Sequence, residues 1–269
     1  MRVTLAAAQR RSQDLARALA NIEAVCTKEM ALTGISEKLQ ISASHDGLAI
    51  SDETIDGWEL DAARRALALI KDALGNEGML SLLAERRRTS DEYFSQMIQQ
   101  SGGKLRGAVN DFRVSGLTLQ EFLDWFRDYG ADRALMLAAH PEHYVLGGDL
   151  GADGKLASHY VMEQIGGHTP FIRLDYVDPS EFPGQERDPD AVVLAGRGRL
   201  ESGEVVARAF HQFKPTRNGD GFTAHLNSMF PAALPDAATP AHVAHHAVEF
   251  RHFFRMAMDH KSAQTRTTP

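Results

Sequence analysis

The chain has a single cysteine, Cys26, so an internal disulfide framework is excluded. Cys26 sits in a helical pattern, where a buried structural thiol is the expectation rather than a nucleophile. No apolar run approaches the roughly eighteen residues that a membrane-spanning helix needs. The opening Met1-Arg-Val-Thr-Leu-Ala-Ala-Ala runs into Arg10 and Arg11, without the long apolar core of a secretory signal, so a cytoplasmic location is expected. Basic excess is also missing. The formal net charge of −7 leaves no concentrated positive face for a phosphate backbone, which excludes nucleic acid as an expected partner. What remains is a chain of 269 residues, 43% hydrophobic, long enough for one large domain or two modest ones and suited to small-molecule chemistry.

Histidine is nearly absent from the first hundred residues, where His45 stands alone, and eleven of the twelve lie at or beyond position 140. The N-terminal stretch is largely helical by pattern. Val3 to Leu32 carries Ala, Leu and charge at helical spacing, a short strand pair is expected around Leu39 to Ala43 and Gly47 to Ser51, and two amphipathic helices follow. The first runs from Asp56 to Leu74 and ends at Gly75; the second runs from Gly78 to Gln100 and closes at Ser101-Gly-Gly. Residues 1–103 are therefore read as a helical accessory or dimerisation region, a homodimer through it being one partner this reading allows. The boundary to a second domain, residues 104–260, is placed near residue 104. The polar tail 261–269 is expected to be disordered.

From Leu105 the pattern changes. Leu105 to Val114 reads as a strand, Thr118 caps a short helix from Leu119 to Tyr129 that Gly130 ends, and further strands are expected at His159–Ile165, Pro170–Val177, Ala191–Ala195, Glu204–Lys214 and Gly221–Ser228. Every gap between these later strands is too short for a crossover helix, so they pair antiparallel. A final helix begins at Thr239, with Pro240 at its first position and Phe250, Phe253, Phe254 and Met256 in an apolar stripe. An antiparallel sheet of five or six strands curled around a long C-terminal helix is the helix-grip, START-like or Bet v 1-like arrangement, of class α+β. A cavity between sheet and helix is its natural ligand site.

The candidate chemistry lies in that cavity. His245 and Glu249, four residues apart, leave one face of the final helix a turn apart and offer two ligands to one metal ion. Alternation places Glu163 with His159, Val161 and Ile165 on one face of its strand, and His211 on the inward face of another. His140 and His143 stand where the chain enters the sheet. His140, Glu163, His245 and Glu249 make a four-ligand sphere suited to zinc or manganese, with His143 as the alternative to His140. The remaining histidines of the final helix, His242, His246 and His252, lie off the four-residue pair and are expected at the solvent face.

The ordered motifs Ser115-Gly-Leu-Thr-Leu-Gln-Glu-Phe-Leu-Asp-Trp-Phe, His140-Pro-Glu-His, His159-Tyr-Val-Met-Glu-Gln-Ile-Gly-Gly and His245-His-Ala-Val-Glu-Phe resemble the 2,4-diacetylphloroglucinol hydrolase family, which includes phloretin hydrolases. The resemblance covers roughly residues 104–258, and departs at Leu137-Ala138-Ala139, where the family is rich in tryptophan. It implies a START-like domain whose zinc ion is held by His140, Glu163, His245 and Glu249, and a hydrolase that breaks a carbon–carbon bond between an acyl group and a phenolic ring. It also implies that His211 lies near the substrate. A histidine titrating near neutrality would donate the proton that the ring carbon takes, His211 first and His143 second. The competing expectation is a non-catalytic START-like protein that binds a small apolar or aromatic ligand.

Overall fold

The computed structural model describes residues 42–46, 48–150, 156–182 and 184–267. The expected helix Val3–Leu32, Cys26 and most of the first expected strand lie outside them. The chain divides into two compact units, residues 1–84 and 85–269.

In the first unit, β1 (Ala43–His45) and β2 (Leu48–Ile50) form a small antiparallel hairpin. Helix α1 (Asp52–Leu82) starts where Ser51 accepts a hydrogen bond from the Thr54 amide. It is interrupted at Gly75, whose φ of 61° is one that glycine adopts without strain. The expected stop after Leu74 is this break.

The second unit begins with α2 (Ala84–Ser101). The expected domain boundary at residue 104 falls after this helix, but α2 is built into the sheet domain. Its Phe94 is fully buried in a cluster with Ile165, Ile172, Val206 and Phe230. Ser90 Oγ accepts from the Thr169 amide at 2.8 Å, Tyr93 stacks flat on His168, and Ser101 Oγ accepts from the Ala233 amide at 2.9 Å.

The strands β3 (Leu105–Ser115), β4 (His143–Leu150), β5 (Leu156–Glu163), β6 (Phe171–Tyr176), β7 (Val192–Arg199), β8 (Val205–Pro215) and β9 (Gly221–Pro231) form one antiparallel sheet in the order β3-β9-β8-β7-β6-β5-β4. The seventh strand, absent from the sequence expectation, is β4, and the reason is chemical. Its middle is Gly147-Gly148, which reads as a loop. Gly147 is paired with Tyr160, whose ring lies across it where a Cβ would stand.

Between β3 and β4 run α3 (Leu119–Tyr129) and α4 (Arg133–Ala139). Helix α3 has a full capping box: Thr118 Oγ1 accepts from the Glu121 amide and Glu121 accepts from the Thr118 amide. Helix α4, not expected from the sequence, is a short helix of about two turns capped by Asp132. Both pack against the final helix, α5 (Ala238–Thr267), which also lies along β3. Phe122 and Trp125 of α3 meet Phe213, Phe222, Phe253 and Phe254 in the main core.

The result is the helix-grip, START-like fold that was expected: a long C-terminal helix held by a curled antiparallel sheet. One correction concerns its end. Residues 261–267, expected as disordered tail, continue α5, because Lys261 Nζ reaches the Gly116 carbonyl at 2.8 Å and the Glu121 carboxylate at 2.9 Å. No helix among the described residues is long and apolar enough to cross a membrane.

Candidate metal centre

A cavity of about 180 Å³ lies between the sheet and α5. Phe122, Phe126, Phe250 and Phe253 make one side of it, and His143, Glu163 and Glu249 meet at one end.

The convergence at that end is set by register. His143 opens β4 and is the cross-strand partner of Glu163 at the end of β5, so both side chains leave the same face as near neighbours. One turn of α5 presents His245 and Glu249 to that pair. His143 Nε2 lies 3.2 Å from His245 Nε2, 3.5 Å from Glu163 Oε2 and 3.5 Å from Glu249 Oε1, and His245 Nε2 lies 3.4 Å from Glu163 Oε2. His143 Nδ1–H donates to the Met136 carbonyl at 3.0 Å, which leaves the Nε2 lone pair facing the other three groups. His143 and His245 are 1% and 4% exposed, so bulk water does little to screen this cluster.

Charge is unevenly shared there. Burial alone would raise Glu163, but the neighbouring positive charge of His245 and its hydrogen bond, helped by His143, carry it down to about 2. Burial opposes the charge on His245, yet Glu163, together with contacts to Glu142 and Glu249, carries it up to about 10. Glu249 goes the other way: burial, with repulsion by Glu163 added, pushes it up to about 7 against the attraction of His245. One imidazolium does not satisfy two buried carboxylates.

The expected set therefore comes together in three of its four members, with His143 standing where His140 was placed. His140 caps the end of α4 three residues before the strand begins, and its ring lies against that of His245 at 3.8 Å between centroids. Its Nδ1 accepts from the Glu142 amide at 3.1 Å. His211 lines the same cavity from β8, as expected, in edge contact with His246 and Phe250. Its Nδ1 accepts from the Asn227 amide at 3.2 Å, so its proton sits on Nε2. Burial, with a contribution from His225, lowers His211 to about 4. At neutral pH it is an uncharged hydrogen-bond donor, and the proton-donor role expected of it would need an imidazolium.

The expectation that His242 and His246 face solvent is corrected. Both are 4% exposed and line the cavity; burial lowers His242 to about 3 and holds His246 well below the usual histidine range. His246 Nε2 pairs with Ser228 Oγ at 3.1 Å, and His242 packs edge-on against Phe230. The signal was present in the spacing. Positions 242, 245, 246 and 249 follow the i, i+3, i+4, i+7 stripe of a helix face turned inward, and the 245/249 pair is one part of it. A polar relay with no local sequence signal lies beside it: the Tyr176 hydroxyl donates to His159 Nδ1 at 2.9 Å, and His159 Nε2–H donates to the Gly130 carbonyl at 3.0 Å, with both side chains at the cavity wall.

No protein-family profile matches the chain, and no curated sequence does. Solved structures resemble it in fold. The crystal structure of Ara h 8.0201 aligns with a TM-score of 0.40 at 11% identity, over 58% of this chain and 99% of that one. The hypothetical protein jhp0584 from Helicobacter pylori aligns at 0.40 and 13% identity, over 56% of this chain and 88% of that one. A START superfamily protein from Mycobacterium smegmatis aligns at 0.34 and 11% identity, over 61% and 99%.

Proposed function

We propose that this protein is a zinc-dependent hydrolase that cleaves the carbon–carbon bond between an acyl group and a phenolic ring, with His143, Glu163, His245 and Glu249 holding the metal. The observation that carries the reading is the spacing of the four groups. Ligand atoms about 2.0–2.2 Å from one tetrahedral zinc lie roughly 3.3–3.6 Å from one another, and four of the six pairings among these side chains lie at 3.2 to 3.5 Å. Two imidazoles and two carboxylates are a donor set that zinc accepts, and a divalent cation would offset the cost of burying two carboxylates at this end of the cavity, the cost that raises Glu249.

When bound, zinc supplies Lewis acidity toward a carbonyl and a water whose pKa is brought near neutrality. The protein's own groups do the rest. The aromatic side of the cavity holds the ring, and its volume sets a limit: an apolar cavity of about 150 Å³ accepts a benzene-sized guest, so about 180 Å³ suits one substituted ring rather than a lipid. His211 offers Nε2–H to a ring oxygen, and the Ser228–His246 pair offers a second polar contact on the same side. Overall, water adds across the broken bond: its hydroxyl ends on the acyl carbon and its proton on the ring carbon. The motif resemblance to the 2,4-diacetylphloroglucinol hydrolase family points to the same bond.

The test is metal content followed by turnover. The purified protein loaded with zinc and incubated with acylated phenols should retain the metal through gel filtration and release the carboxylic acid. A protein that retains no metal and turns over none of them leaves the second reading, a START-like binding protein for a small aromatic ligand. The apolar, aromatic-walled cavity favours that reading independently of the metal; it requires a stoichiometric aromatic ligand and no zinc.

A further inference from the structure

His245 is approached from two sides. Its Nε2 faces His143 and Glu163, while its Nδ1 faces Glu142, so that two groups of ligand-type side chains share this one ring: His143, His245 and Glu249 on one side, His140, Glu142 and His245 on the other. Nδ1 is buried and lacks a hydrogen-bond partner within ordinary reach. The Glu142 carboxylate stands 3.9 Å away, and its side chain is 44% exposed, which leaves it room to adjust. A buried imidazole engaged through one nitrogen can still flip its ring or change tautomer; a carboxylate on the other nitrogen suppresses both.

The turn that carries Glu142 is built to aim it. Pro141 fixes its own φ, the Glu142 amide donates to His140 Nδ1 at 3.1 Å, and the His143 amide donates to the His140 carbonyl at 3.2 Å. His140, 6% exposed, stacks on His245 at a 22° tilt and restricts it from the flat side. The four residues of His140-Pro-Glu-His thus act on one centre in different ways: His140 stacks, Glu142 orients and His143 faces the metal.

We propose that Glu142 is the positioning residue of the metal centre, taking the Nδ1–H of His245 so that Nε2 is held toward Glu163 and His143. The inference rests on the metal-binding reading above. A rival use of the same groups, a second cation at His245 Nδ1, requires that nitrogen to lose its proton and His140 Nδ1 to release the Glu142 amide.

The test is a zinc titration of the full-length, chelator-stripped chain against a competing chromophoric chelator. Wild type, Glu142→Gln, Glu142→Ala, Glu142→Asp and the control Glu181→Gln are compared. One zinc per chain is expected throughout. Glu142→Ala and Glu142→Gln should weaken it roughly tenfold to a hundredfold, Glu142→Asp should recover part of the loss, and the control should match wild type. The His245 Nδ1–H proton resonance of the zinc-loaded protein, assigned through its imidazole nitrogen correlations, should move upfield in Glu142→Gln. Glu142→Gln is nearly isosteric, so it carries the test if the alanine variant folds poorly. Unchanged affinity in Glu142→Gln and Glu142→Ala overturns the positioning role while leaving the metal centre standing. A second zinc in wild type that disappears in Glu142→Ala overturns it in favour of the second cation. A wild-type chain that takes up no zinc overturns the metal-binding reading itself.

Discussion

Replacing His143 and replacing His140 should have opposite signatures. His143→Ala removes one of the converging nitrogens and leaves the buried Met136 carbonyl without its donor, so the chain should lose zinc altogether by elemental analysis. His140→Ala removes a stacked ring and the acceptor of the Glu142 amide; it should keep a zinc ion, more weakly held, and lose roughly 1–3 kcal/mol of stability in urea. A chain that loses the metal with His140→Ala and keeps it with His143→Ala would return the ligand role to His140. The sequence shows the two histidines directly flanking a proline and a glutamate, and nothing in their spacing separates them. What separates them is the start of β4: His143 is inside the strand and paired with Glu163, while His140 is still at the end of a helix. The His245/Glu249 pair was legible because a helix has a fixed pitch and needs no partner to define its face.

The same contrast holds for whole elements. Helix α3 was legible to the residue, since Thr118, Glu121 and Gly130 are local signals acting within one turn. Thr118→Ala should therefore cost about 1 kcal/mol, read as a lower midpoint in urea with an unchanged m-value. Strand β4 was not legible, because Gly147 at its middle is explained only by a tyrosine thirteen residues further on. The place of the domain boundary depends on contacts of the same long-range kind. Ser101-Gly-Gly is a true helix end, but whether the preceding helix belongs to the sheet depends on where Phe94 is buried, and its partners Ile165, Ile172, Val206 and Phe230 lie far along the chain. Two fragments test this. Residues 85–269 should unfold in one cooperative transition by circular dichroism. Residues 104–269, without α2, should lose at least the roughly 3–5 kcal/mol that deleting one buried phenylalanine costs, together with the Ser90 and Ser101 contacts. Equal stability of the two fragments would put the boundary back at residue 104.

For the molecule as a whole, the buried histidines of the cavity set the acid limit of stability. Burial brings His211 down to about 4 and His242 down to about 3, whereas both titrate near 6.5 in the unfolded chain. Their folded-state pKa values are depressed, so the unfolded state binds the proton first. The stability is complete above about pH 6.5 and is lost as the pH falls through the window down to 4 and 3. Each such group contributes up to about 1.4 kcal/mol per pH unit inside its window. The helix-grip fold makes this unavoidable, since the cavity that separates sheet from helix is walled by side chains that water no longer charges. His242→Phe, which can keep the edge contact to Phe230, removes one titrating group. In chelator-treated protein the variant and wild type should differ by a constant amount between pH 6.5 and 8. Below that the balance should shift steadily toward the variant, by urea unfolding at half-unit pH steps. A difference that stays flat from pH 7 to 4 would mean that His242 is charged in the folded protein, and that the cavity is wetter than its aromatic walls imply.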